Sequence, residues 1–406
     1  MTQARRGLRS LVMVLGLIGA TAALGAPGPG VILPWDEFGG DPAIGRPVYA
    51  ARTMSLAGLQ SGADHIVGQQ CPNGGFGWPH NDCSATYNNV TGPICLGLLD
   101  AYARTADVDH QNAAANGGNY DLTSQYGNGE ARFGAFMAHF LWRLSAATGN
   151  PAYALHAETE FFDELDASTY GPSDLNTAGW IGLVQAARAG TWVNLLPWEF
   201  HNIIPTAAAI GNAGQAAAFE QAVLDGLNTL NSTDPANIYS DLIGWAGGVR
   251  GLAFANRTSF PAINSPNHAG INGISTLEGL TNALVAEQNT NGSWYWHSNL
   301  ASPTATDEDT QTTAYAVLAL MQAKPLVSTD HSAAINKGRA WLLSMQLPSG
   351  GFLGYPSGDE NTEVEGEALS ALAPAGGMIP ASSVLGLAAL ALLGVGVGAV
   401  VFRRTR

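Results

Sequence analysis

Three stretches of this chain close a run of helix-spaced apolar residues in nearly the same way: glutamine, a few turn formers, glycine, then an aromatic. They read GQQCPNGGFGW (Gly68 to Trp78), AEQNTNGSWYW (Ala286 to Trp296) and SMQLPSGGF (Ser344 to Phe352). A repeat restricts a fold strongly, because each copy must bury its face against its neighbours. Before Gln70 the apolar residues fall at Leu56, Leu59, Ala63, Ile66 and Val67. Before Gln288 they fall at Leu277, Leu280 and Leu284, and before Gln346 at Ile335, Leu342 and Met345. These spacings lay one stripe along a helix. The glycines then end it, since glycine takes the left-handed C-cap without strain.

A second helix is expected after each turn. TEVE places Thr362 as N-cap with Glu365 three residues on, a capping box, and Val364, Ala368, Ala371 and Leu372 continue the stripe. After the first turn Thr91 can cap, and Pro93 takes an early helical position where its missing N–H costs little. After the second, Asp309 is the expected N-cap, with Ala314, Val317, Leu318 and Met321 on one face. The unit is thus helix, turn, helix. The middle of the chain is also helical in pattern, as in FGAFMAHFLWRLSAATGNP and SDLIGWAGGVRGLAFAN, and no strand alternation is evident. About ten to twelve helices are expected, all-α, as hairpins closed into a double ring.

The Gln-turn-Gly-aromatic unit resembles the repeat of the terpenoid cyclase and protein prenyltransferase superfamily, an α/α toroid; GRAWLLSMQLPSGGF is the nearest match. The resemblance implies that Gln70, Gln288 and Gln346 tie helix ends and that Phe76, Trp294 and Phe352 stack over them. Cyclases of that superfamily use an Asp-x-Asp-Asp-Thr stretch whose central Asp protonates an alkene. Aligned on Thr310, this chain offers Thr306, Asp307, Glu308 and Asp309, so the first Asp is missing and Glu308 stands in for the acid. The plainer reading is that Asp307, Glu308 and Asp309 cap a helix in solvent. The prenyltransferases hold zinc with Asp, Cys and His, and HNDC supplies His80, Asp82 and Cys83; no other cofactor is expected. The alternative is a Cys71–Cys83 disulfide, with Cys95 packing as a small apolar residue.

The two ends read as targeting segments. Arg5, Arg6 and Arg9 precede an apolar run from Leu11 to Leu24, the pattern of a secretory signal peptide over residues 1–26. From Val384 to Phe402 the chain is apolar and uncharged, and Arg403, Arg404 and Arg406 follow, which is about one bilayer of helix with a positive stop. With Ile379-Pro380 ahead of it, this segment resembles the bacterial tripartite sorting tails of the IPTL-CTERM and PEP-CTERM type; the alternative is a plain anchor. Expected boundaries are therefore a linker over 27–50, a toroid over 51–375 and an anchor over 376–406. The expected partners are a membrane through the C-terminal helix and a processing protease at the tail. Export to the cell envelope or surface follows. The formal net charge of -15 argues against nucleic acid.

Three function classes fit. The leading one is a binding or structural surface domain, since isoprenoid substrates are not made outside the cytoplasm and the cyclase acid motif is incomplete. The second is a cyclase-like enzyme using Glu308 and Asp309. The third is a glycan hydrolase or lyase: GGFGWPHND, WVNLLPWEFHN and GSWYWHSN each set Trp beside His, Asn or an acid, and Glu199 with Asp82 is a candidate acid/base pair. His139 and His201 lie in apolar helical surroundings and are expected to pack rather than react.

Overall fold

The computed structural model describes residues 48–78, 82–123, 135–162 and 176–373. Among these residues the structure is helices and turns, with only isolated β-bridges. In chain order, α1 (Val48–Gln69) pairs with α2 (Asn88–Thr105), and α3 (Val108–Thr123) with α4 (Ala135–Thr148). Next come α5 (Pro151–Ala157), α6 (Thr177–Ala187), α7 (Leu196–His201) and α8 (Ile203–Ala209). Then α9 (Ala213–Thr229) precedes α10 (Asp241–Phe254), α11 (Leu277–Ala286) precedes α12 (Thr310–Ala323), and α13 (Ser332–Ser344) precedes α14 (Thr362–Leu372).

Packing between these elements makes a closed inner ring. α2 packs on α4, α4 on α7 and α8, α7 on α10, α10 on α12, α12 on α14, and α14 returns to α2. Around it lie α1, α3, α5, α9, α11 and α13, each against one or more inner helices. This is an α/α toroid. The inner ring closes at very short range: a Cβ on Gly97 of α2 would sit 2.2 Å from the carbonyl oxygen of Gly366 on α14.

The three repeats use one set of ties. Gln70 Nε2 donates to the carbonyl of Gly74 in its own turn (2.8 Å) and to that of Ala113 in α3 (2.8 Å). Gln288 does the same to Gly292 (2.9 Å) and to Ala334 in α13 (2.9 Å). Gln346 binds Gly350 (3.0 Å) and Gly58 in α1 (2.8 Å). Each glutamine therefore joins one outer helix to the next, and Gln346 joins the last to the first. The glycine it grips has positive φ, at 90°, 103° and 104° for Gly74, Gly292 and Gly350, a region costly for any side chain. The space is closed too: a Cβ there would lie 2.4 Å from the oxygen of Asn116, or 2.3 Å from those of Lys337 and Ser61. The aromatic that follows is fully buried in all three copies. Its backbone N–H bonds the side chain of the fourth residue of the coming inner helix: Phe76 to Thr91 (3.1 Å), Trp294 to Thr313 (3.0 Å) and Phe352 to Glu365 (3.2 Å).

Several expectations need correction. Leu59, Ala63 and Ile66 are buried, but Leu56 is 38% exposed and lies off the stripe. Thr362 and Glu365 do not form a capping box. The N-cap of α14 is Asn361, which accepts from the Glu363 and Val364 amides, because Glu365 is drawn inward to the Phe352 amide. Thr91 is likewise inside α2, whose N-cap is Tyr87, and Pro93 lies within the helix rather than in its first turn. The membrane partner is withdrawn: among the described residues no helix is long and apolar enough to cross a membrane. The expected signal peptide and tail, 1–26 and 376–406, and residues 27–47 of the linker expected over 27–50 lie outside the described residues, while residues 48–50 belong to α1 rather than to a linker.

Candidate functional site

The turns that lead into the inner helices share one face of the ring, and acids gather there. Glu363 lies in the first turn of α14, Asp309 caps α12, and Glu199 is carried by α7. Glu363 and Glu199 are close enough to feel each other. Glu363 is pushed up to about 7, first by burial and then by the Glu199 charge, with Arg188 opposing. Burial also raises Glu199, but the Arg188 guanidinium is ion-paired to it and pulls the other way. Asp309 is raised by burial, opposed by the Thr312 hydroxyl and amide. Below them Glu367 is buried and held well above the carboxylate range, first by burial and then by the charge of Glu363. It accepts from the Tyr315 hydroxyl (2.8 Å) and Gln311 (3.1 Å).

Aromatic rings flank these acids. Trp192 and Tyr239 lie with ring centres 5.0 Å apart, and Tyr239 stacks on Trp296 at 6.3 Å with planes 24° apart. Trp192 is 43% exposed, and Trp78, Tyr87 and Tyr355 are also exposed in segments that lead to inner helices. Two buried polar groups hold this ladder in place. Asn194 donates to the Asn231 and Tyr239 carbonyls (2.9 and 3.0 Å) and accepts from the Asn231 amide (2.7 Å). It thereby fixes the turn bearing Trp192 against the segment bearing Tyr239. Asp241, fully buried at the start of α10, lies 2.9 Å from His268 and 3.6 Å from His297 and accepts from the Ser298 amide (2.9 Å) and hydroxyl. Burial raises its carboxyl, yet the two histidines and Ser298 outweigh that and hold it below its ordinary value. A charged anchor thus fixes the segment bearing Trp296.

The centre of the ring is filled. Phe136, Trp198, His201 and Tyr315 pack together as a floor, edge-on except for the tilted Phe136–Trp198 pair. Deeper, Arg250 meets His201 (3.2 Å), His139 meets Thr206 (2.8 Å), and Arg143 pairs with Asp100 (2.6 Å), to which Ser370 also donates (2.8 Å). Among the described residues a cavity of about 20 Å³ lies beside Asp100, His139, Arg143, Arg250 and Glu367, room for one or two waters. His139 and His201 are buried and held well below the usual histidine range by desolvation, so they stay neutral.

The structure disperses most of the sequence candidates. Asp307 accepts from Trp296 (3.1 Å) and from the Thr304 amide and hydroxyl (2.8 and 2.9 Å). These bonds outweigh its burial and hold its carboxyl low. Glu308 accepts from Asn291 (2.8 Å) and from the Trp341 indole (3.0 Å), tying the second turn to α13. Asp309 accepts from the Thr312 amide (2.7 Å) as N-cap. Each acid faces its own donors, and none points into an apolar chamber. Cys71 and Cys83 form a disulfide and Cys95 is free and buried, so the proposed zinc set loses its thiolate. Of the rest of that set, Asp82 is exposed and bonded by Ser84, and His80 lies outside the described residues. Glu199 has Glu363, not Asp82, as its acidic neighbour. Sequence reasoning assigned Glu363 only to a capping segment; the signal that could have marked it is three glutamates at alternate positions, 363, 365 and 367, on a helix start.

Comparison with protein-family models and with curated proteins found no match. Solved structures do match in fold. One is a possible GH105 family member from Salmonella enterica, TM-score 0.53 at 13% identity, covering 82% of this chain and 96% of that one. Another is an unsaturated glucuronyl hydrolase from Bacillus sp. GL1, responsible for glycosaminoglycan degradation, TM-score 0.51 at 15% identity, covering 79% and 95%. A type II terpene cyclase from Scytonema also matches, at TM-score 0.49 and 12% identity, covering 83% and 100%. At such identities the first two support the toroid fold alone.

Proposed function

We propose that the chain is a glycan-acting toroid that cleaves a glycosidic bond at the acidic mouth of its inner ring. Glu363 is the general acid and Glu199 its carboxylate partner. The observation that carries this is Glu363 itself: a half-buried carboxyl pushed up to about 7 by burial and by the Glu199 charge. It keeps a proton near neutrality and can give it to a leaving oxygen. Burial raises Glu199 too, but Arg188 is ion-paired to it and opposes that rise, which is the contact that favours its ionised form. Trp192, Tyr239 and Trp296 supply flat faces on which sugar rings stack. The fold is compatible, since solved toroids of TM-score above 0.5 include the glucuronyl hydrolase. The acid excess at this mouth favours neutral or amino sugars over uronates, because like charges repel.

The test is a panel of neutral, amino and uronate oligosaccharides scored for new reducing ends. Glu363→Gln and Glu199→Gln should each lower turnover by roughly 100-fold or more. Undiminished cleavage by Glu363→Gln would refute the assignment.

A second reading is a domain that binds glycan without cleaving it, favoured by the filled centre, which confines any ligand to the surface. Saturable binding that Trp192→Ala weakens, with no new reducing ends, would select it. Among the described residues the centre is polar and closely packed, which favours a sugar over an apolar isoprenoid chain.

A further inference from the structure

The third repeat departs from the other two at the position that bonds the aromatic amide. The first two use Thr91 and Thr313; the third uses Glu365. A glutamate there is longer, carries charge, and has a second oxygen to satisfy. Glu365 is fully buried, and its Oε2 has no hydrogen-bond partner. Burying a carboxylate oxygen without a partner is costly, so something at this position favours it.

What surrounds Glu365 belongs to the other end of the chain. His65, near the end of α1, places Nε2 2.5 Å from Glu360 Oε1 and 3.9 Å from Glu365 Oε1. Nitrogen and carboxylate oxygens of the three residues all lie within 4.8 Å of one another. Gln69 approaches both Glu360 (2.8 Å) and His65. Turning its amide end for end would bring its carbonyl oxygen into the cluster without changing its shape. Two carboxylates this close repel each other. The alternatives are a retained proton or a bound cation, and a cation lets both groups ionise.

We propose that His65, Glu360 and Glu365 bind a divalent transition-metal ion, zinc by the character of the donors, at the seam where the first outer helix meets the last inner one. One imidazole nitrogen and two carboxylates suit zinc better than calcium or magnesium, which prefer all-oxygen sets. His65 and Glu360 keep 18% and 15% side-chain exposure, which gives the ion a way in. The ion has a structural task. A toroid must fasten its last hairpin to its first, and Gln346 provides one tie to Gly58. The metal is a second, between residues 295 positions apart. The site uses residues other than Glu363 and Glu199 and does not depend on the glycan reading.

The experiment uses the full chain, stripped with chelator and then dialysed free of it. Zinc is titrated by calorimetry, with metal content measured after gel filtration, and manganese and calcium are run in parallel. One zinc per chain is expected, with a raised melting temperature and slower amide exchange at the end of α1. Glu360→Gln keeps shape and removes a ligand, so zinc affinity should fall by at least ~10-fold. Glu363→Gln, in the mouth, should bind zinc as the parent does. No stoichiometric zinc on the parent chain, or unchanged affinity in both Glu360→Gln and His65→Ala, would overturn the proposal and leave a shared proton as the occupant.

Discussion

Replacing Glu363 with Gln should remove activity and stabilise the fold at the same time. In the folded chain burial and the Glu199 charge push this carboxyl up to about 7, against an ordinary glutamate value of 4.5. Below the unfolded value the group is protonated in both states and costs nothing. As pH rises from there to about 7, the unfolded chain releases its proton first, so stability falls, and above about 7 the cost is constant. That gap corresponds to about 3 kcal/mol at most. Glu363 keeps part of its surface in water, and its neighbour Glu199 shares the repulsion, so about 1–2 kcal/mol is the realistic figure. Glu363→Gln should therefore raise the unfolding free energy by that amount at pH 8 and change little at pH 4. Denaturant melts at the two pH values measure it, with reducing-end assays on the same samples. A glutamine variant less stable than the parent at pH 8 would refute the raised pKa, and with it the acid assignment.

Other outcomes follow from the same geometry. Gln346→Ala breaks two bonds of 2.8 and 3.0 Å across the last and first outer helices, and should cost about 1–3 kcal/mol by chemical denaturation; an unchanged melting temperature would count against the tie. Gly350→Ala places a Cβ 2.3 Å from the Ser61 oxygen at φ 104°, and its melting temperature should fall more than that of an alanine at Gly273, which has open space. Asp241→Asn leaves two buried histidines without their charge partner and should cost about 3 kcal/mol. Since the native carboxyl is held low, the parent's advantage over this variant should fade as acid protonates it, and an advantage unchanged from pH 7 down to pH 2 would contradict that. Mass spectrometry without reductant should find one Cys71–Cys83 linked pair, while Cys95 stays unlabelled by thiol reagents until the chain is unfolded.

Much of the architecture was legible in the residue order, because its determinants are local. A glutamine closing an apolar stripe, followed by a glycine and an aromatic, prescribes a helix, a left-handed turn and a buried ring wherever it occurs. Three copies imply hairpins that stack. The N-cap at Asp309 was equally local, since a carboxylate before a helix finds amides two or three residues on. Of the candidate site the sequence marked Glu199 but gave it the wrong partner, Asp82, and the reason is distance along the chain. Glu199 and Glu363 are 164 residues apart, and neither of the stretches that hold them points to the other. Only closure of the inner ring places them on one face, buries them enough to raise their pKa values, and sets Arg188 against one of them. The acids that did form a motif, Asp307, Glu308 and Asp309, were claimed by the nearest amides and indoles. The two sulfurs joined at short separation, which took Cys83 out of the HNDC set. His65 and Glu360 show the same rule at the ring's seam: local order made each helix, and the circle of helices decided which side chains meet.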